Sequence, residues 1–154
     1  MKKILVGLFA VLFTTSLAMA AAAATFKVGL SGKEVVPAVE TRTAGEADFT
    51  LSADGKELAY TLVILDIEDV TAAHIHAGKM GIEGPPVAGL FGGPKKAGMF
   101  SGTLAEGTIT DKNLVGPLAG KTVGDLMTMI KNGEAYVNVH TPKHPGGEVR
   151  GQIK

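Results

Sequence analysis

The chain of 154 residues holds only four histidines, gathered into two short stretches. "AAHIHAGKMGIEGPP" (72–86) carries His74 and His76, and "VHTPKHPGGE" (139–148) carries His140 and His144. In a strand, residues two apart point to the same side, with Cα atoms roughly 6.5 to 7 Å apart. His74 and His76 then share a face, leaving Ala73, Ile75 and Ala77 to the apolar side. Two imidazoles so spaced can converge on one ion at about 2.0 to 2.1 Å per bond, given a third ligand from elsewhere. His140 is the candidate for that third ligand, because it closes a strand whose polar side alternates with valines. His144 lies in the loop beyond, as a fourth ligand or as an exposed side chain. The alternative for His74 and His76 is a half-exposed polar strand face with no ion.

Ligand type sets the metal. Imidazole sites suit copper or zinc, and copper(II) leads in affinity by the Irving–Williams order. The chain has no cysteine, so thiolate ligands, thiolate nucleophiles and disulfides are excluded. Calcium needs oxygen ligands at loop spacing, which "LDIEDV" (65–70) lacks; that acidic run reads as a solvated strand end. Met80, just after the histidine pair, offers a thioether to copper(I), a weak signal for one Met in a glycine-rich loop. A ligating imidazole usually donates its other N–H to a carboxylate or carbonyl. Glu148 is expected in that role beside His140, with an ion pair to Arg150 or a neighbouring strand as the equal alternative. Tyr136, Asn138, Arg150 and Gln152 are expected to line the same polar surface. The glycines at 78, 81 and 84, followed by Pro85 and Pro86, read as a rigid loop beside His76, with no Gly-Lys-Ser/Thr and no following helix to make it a phosphate loop.

The elements that must position these residues are mostly strands. "TFKVGL" (25–30), "EADFTLS" (46–52), "AAHIHA" (72–77), "PVAGLF" (86–91) and "SGTLAEGTIT" (101–110) have strand character between glycine- and proline-rich breaks. "LAYTLVIL" (58–65) is apolar enough to be expected at the centre of a sheet. "EAYVNVH" (134–140) and "GEVRGQIK" (147–154) read together as a hairpin. Setting His140 opposite Glu148 places Asn138 across from Arg150, Tyr136 across from Gln152 and Val139 across from Val149, which sorts polar from apolar; a one-residue slip destroys that sorting. The exception is "KTVGDLMTMIKNG" (121–133), where Val123, Leu126, Met127 and Ile130 fall on one helical face, Thr122 and Asp125 form a capping-box pattern and Gly133 is a stop. The prediction is an all-β antiparallel sandwich or barrel-like domain with one short helix near Val123–Asn132.

"MKK", an apolar run from Ile4 to Leu17 and "AMA" at 18–20 have the form of a secretory signal peptide over residues 1–20, cut somewhere in 20–24. The run is shorter than the roughly 20 residues of a membrane anchor, so the mature chain is expected to have no span and to be secreted or periplasmic. One domain follows, residues 25–154. Loss of Lys2 and Lys3 from 15 basic and 15 acidic residues leaves a small negative balance, and no basic patch suits nucleic acid.

The two histidine stretches, with "IKNGEAYVNVHTPKHPGGEVRGQI" (130–153), resemble the CHRD domain, a module first described in the extracellular protein chordin and widespread in secreted bacterial proteins. The resemblance runs from about Ala24 to Ile153 and implies a solitary, β-rich extracellular or periplasmic domain. The family pattern includes the histidines that stand here as His74, His76 and His140, while His144 falls where it varies. It implies no secure activity, and growth-factor binding by chordin does not transfer to a single domain. A looser similarity is to copper/zinc superoxide dismutase, with its strand His-x-His; the absence of cysteine and of a long zinc loop sets this chain apart.

The function expected from these residues is a secreted metal-binding domain, with copper first and zinc second, that binds, buffers or delivers one ion rather than catalysing. The alternative is a cell-envelope or extracellular protein-interaction module with structural histidines, docking through "GEVRGQI" and the glycine loop. Superoxide-dismutase-like copper activity is a minor alternative. No serine or carboxylate dyad beside a histidine suggests a hydrolase.

Overall fold

Alternation along the chain is what builds the sheet. In the computed structural model, which describes residues 24–154, apolar residues at every second position of most strands turn inward to one core. The expected leader and cleavage region fall for the most part on residues 1–23, which lie outside the described residues. The strands are β1 (Thr25–Ser31), β2 (Ala44–Leu51), β3 (Leu58–Val70), β4 (Ala72–Ala77), β5 (Pro86–Phe91), β6 (Lys96–Ile109), β7 (Ala135–His140) and β8 (Val149–Gln152). They form a single antiparallel sheet in the order β5-β4-β7-β8-β1-β2-β3-β6, curled into a nearly closed, barrel-like form.

The apolar strand β3 is next to last in that order and not central. Curling explains its composition. The outermost strands β5 and β6 approach each other, and Tyr60 on β3 donates its hydroxyl to the Leu90 carbonyl of β5 at 2.8 Å. Leu58, Leu62, Ile64, Ile67 and Val70 are therefore sealed inside. The strand also runs past Leu65 through the acidic stretch, where its register against β6 shifts twice. Asp66 and Asp69 sit at those irregularities with φ of 55° and 60°. Asp tolerates left-handed backbone better than most residues, so the acidic run is a pair of strand bulges as well as a solvated edge.

The helix α1 (Val123–Lys131) begins at Thr122, whose hydroxyl accepts from the Asp125 N–H while the Asp125 carboxylate accepts from the Thr122 N–H at 2.9 Å. Its buried face is Val123, Leu126, Met127 and Ile130. Gly133, with φ of 69°, ends it and turns the chain into β7. Among the described residues no helix is long and apolar enough to cross a membrane.

Strands β7 and β8 pair as the polarity sorting requires, with Tyr136 across from Gln152, Asn138 across from Arg150 and Val139 across from Val149. β4 lies on the other side of β7, with Ala72 across from His140, His74 across from Asn138 and His76 across from Tyr136. Ala73, Ile75, Val137, Val139 and Val149 enter the core. The polar residues of the three strands thus share the outer face of the barrel.

Candidate metal centre

An outer strand face would normally be wet, yet Tyr136, Asn138 and Arg150 here are at most 4% exposed and His76 and Gln152 are 8% exposed. Two glycine- and proline-rich loops cover them. The loop after β4 brings the Lys79 carbonyl to Arg150 at 2.9 Å, the Gly78 carbonyl to the Gln152 amide at 2.9 Å and the Gly84 carbonyl to His76 Nδ1 at 2.8 Å. The loop between β7 and β8 brings the Pro145 carbonyl to His140 Nδ1 at 3.0 Å and the Gly146 carbonyl to the Asn138 amide at 2.8 Å. Both loops need glycine. A Cβ on Gly84 would run into the Ala77 carbonyl, and one on Gly147, where φ is 128°, would run into the Asn138 amide.

Under this roof three rings converge. The ring centroids of His74 and His140 are 5.2 Å apart, those of His76 and His140 5.5 Å, and those of His74 and His76 5.6 Å. One ligating nitrogen from each lies within 4.8 Å of the others. Bonds of about 2.05 Å in tetrahedral geometry put nitrogens about 3.3 Å apart, so closing on an ion takes small rotations of the rings.

The hydrogen bonds select which nitrogens face inward. A carbonyl oxygen only accepts, so Nδ1 of His76 and of His140 carries the proton and Nε2 of each is left as a bare lone pair. Among the described residues four buried side-chain polar atoms have no partner: His74 Nδ1, His76 Nε2, His140 Nε2 and Asn138 Oδ1. All four belong to this face. A buried, unpaired acceptor costs about 1–3 kcal/mol, and a cation bound by three nitrogens would remove that cost at once, so the donor set fits a metal. Burial, followed by the neighbouring His140 and His76, lowers the pKa of His74 to about 4. Burial also lowers His76, against the Gly84 carbonyl and with Arg150, and lowers His140 against the Pro145 carbonyl. At neutral pH the rings are uncharged and no proton competes for the lone pairs.

The remaining candidates fall in different places. His144 is not part of the group; its backbone closes the turn through the Thr141 carbonyl at 3.1 Å. Glu148 does not take the place expected for it beside His140. The ladder stops at Val139 and Val149, and the Glu148 carboxylate turns to three threonine hydroxyls, Thr41 at 2.8 Å, Thr43 at 2.9 Å and Thr141 at 2.9 Å. Burial opposes its ionisation, but those hydroxyls bring its pKa below the ordinary value. Nor does Glu148 pair with Arg150. The Arg150 guanidinium donates to Lys79 and Gln152 and caps the Tyr136 ring, 3.6 Å from its centroid. Tyr136 stacks in turn on His76, with centroids 5.1 Å apart and planes 18° off parallel, while its hydroxyl accepts from the Gly84 N–H at 3.1 Å. Met80 is 60% exposed on the covering loop.

The partners that orient two of the rings are thus backbone carbonyls, which composition does not reveal; the only signal was the density of Gly and Pro beside each histidine. The three rings border a cleft of about 450 Å³ walled by Thr71, Pro86, Thr141, Pro142 and Pro145. A larger cavity of about 640 Å³ lies elsewhere, among Arg42, Asp66, Asp69 and Lys143, and contains no histidine. The three histidines of the cluster all line the smaller one.

Residues 26–153 match the family model for the CHRD domain. No curated protein and no solved structure gives a significant match. The match spans most of the chain, and the chain belongs to the CHRD domain family.

Proposed function

We propose that this CHRD domain holds one transition-metal ion, copper first and zinc second, between His74 Nδ1, His76 Nε2 and His140 Nε2, and serves to bind, buffer or deliver it outside the cytoplasm. The observation that carries the reading is the convergence of three buried, unpartnered ring nitrogens from two distant stretches, two of them oriented by the Gly84 and Pro145 carbonyls. Three imidazoles without a thiolate or carboxylate suit copper or zinc over calcium or magnesium. The chain's own part is to keep the rings neutral, hold the tautomers of His76 and His140 and screen the site with two loops. A bound ion would supply a Lewis-acidic centre. The leader-like first twenty residues support export to the periplasm or beyond.

The test is to purify the untagged protein from the periplasmic fraction, establish its N-terminus by mass spectrometry, and measure its metal content and affinity. About one copper or zinc per chain is expected, with His74→Ala weakening binding at least about tenfold. Trace metal, with no binding tighter than millimolar on titration, defeats the reading. A partner captured equally well by wild type and His74→Ala in the presence of chelator would favour the interaction-module reading instead.

A further inference from the structure

The charge around the three histidines bears on what completes the coordination, and the inference that follows rests on the metal-binding reading above. The ligands themselves are neutral imidazoles. Arg150 is 2% exposed, and its hydrogen-bond acceptors, the Lys79 carbonyl and Gln152 Oε1, are also neutral. Among the described residues the ion pairs are all formed by lysines, so the Arg150 charge has no carboxylate against it. That charge lies over Tyr136, which stacks on His76. The buried carboxylate that could have offset it, Glu148, faces three threonines instead. Glu83 borders an adjoining opening beside His76 and Asn138, but it is exposed to water, and its charge acts on His76 more weakly than that of Arg150.

A divalent ion at this site would keep its whole charge and add it to a buried guanidinium. Such an excess in a partly desolvated place favours a compensating anion. The geometry leaves room for one: three ligands come from one sheet face, and all three rings border the open cleft, whose walls carry no acidic side chain. We propose that the metal-loaded centre takes a small monovalent anion from the cleft as its fourth ligand, with the uncompensated charge of Arg150 strengthening that binding.

The experiment uses the full mature chain loaded with copper(II) and desalted, with one copper per chain verified by mass spectrometry. Sodium azide is titrated in a non-coordinating buffer while the azide-to-copper charge-transfer absorption and the electron paramagnetic resonance spectrum are followed. The expected result is saturation at one azide per copper with the copper retained, reversed by formate and not by neutral formamide at the same concentration. An unchanged spectrum with copper retained overturns the proposal while leaving the metal site standing. Failure to load copper at all overturns the metal reading and this inference with it. In Arg150→Met, copper per chain is measured alongside, and azide affinity per bound copper is expected to fall about tenfold. Wild-type azide affinity in a folded Arg150→Met protein would overturn the role given to Arg150. Should that variant fail to fold, the wild-type titration decides the matter alone.

Discussion

Acidifying the metal-free protein should weaken it in a window set by the histidine cluster. Burial and the two neighbouring rings lower the pKa of His74 from 6.5 to about 4. The unfolded chain takes up a proton near the ordinary value and the folded chain only near the lowered one. Between the two the unfolded state binds more protons, so stability falls as pH drops from about 6.5 towards about 4, and this group contributes no further loss below that. The whole shift corresponds to about 3.4 kcal/mol at 1.36 kcal/mol per unit. Because the ring is only half-buried, solvent screening cuts this to about 1.5 kcal/mol. His76 and His140 are lowered in the same direction and steepen the loss. The assay is urea unfolding followed by circular dichroism, with chelator present, at steps from pH 7 to pH 4, on wild type and His74→Gln. Wild type should lose about 1 to 1.5 kcal/mol more than the variant across the window. Identical pH dependence in the two proteins, or a wild type that gains stability on acidification through the window, refutes the buried neutral cluster.

Three further outcomes are expected. His140→Ala should weaken copper or zinc binding at least about tenfold, while His144→Ala should leave it within about twofold, as read by competition with a chromophoric chelator; equal effects would contradict the geometry. Gly84→Ala places a Cβ against the Ala77 carbonyl and should destabilise by about 1–3 kcal/mol in thermal unfolding. It should also weaken metal binding, because the carbonyl that orients His76 is displaced. Glu148→Ala leaves the Thr141 hydroxyl without its acceptor, while Thr41 and Thr43 can still donate to Thr43 Oγ1 and the Asp66 carbonyl, and should cost about 1–3 kcal/mol at neutral pH without changing metal stoichiometry; loss of the metal in a folded variant would show that Glu148 supports the site directly.

Much of the architecture was legible because it follows from local periods. The alternation that buries Ile75 and Val139 also turns His74 and Asn138 outward, and the polarity sorting of "EAYVNVH" against "GEVRGQIK" excludes a one-residue slip from the register observed, in which the pairs from Tyr136–Gln152 to Val139–Val149 form and His140–Glu148 does not. The capping pair Thr122 and Asp125 and the stop at Gly133 delimit the helix from neighbouring residues alone. Sharing of a face by His74 and His76 is likewise a property of strand geometry.

What tertiary structure alone decided depends on which segments come together. Nothing local says that β7 lies beside β4, and it is that pairing, across about sixty residues, which brings His140 to the other two rings. Nothing local says that a long apolar strand can lie near the end of the sheet order; curling of the sheet seals it. Glu148 was read by its neighbours in sequence, but its carboxylate answers to Thr41 and Thr43, more than a hundred residues away. The ring tautomers depend on carbonyls of Gly84 and Pro145, groups that every residue carries and no sequence pattern distinguishes. Side-chain type and period travel with the chain, whereas the position of a backbone oxygen in space exists only once the loops have closed over the sheet.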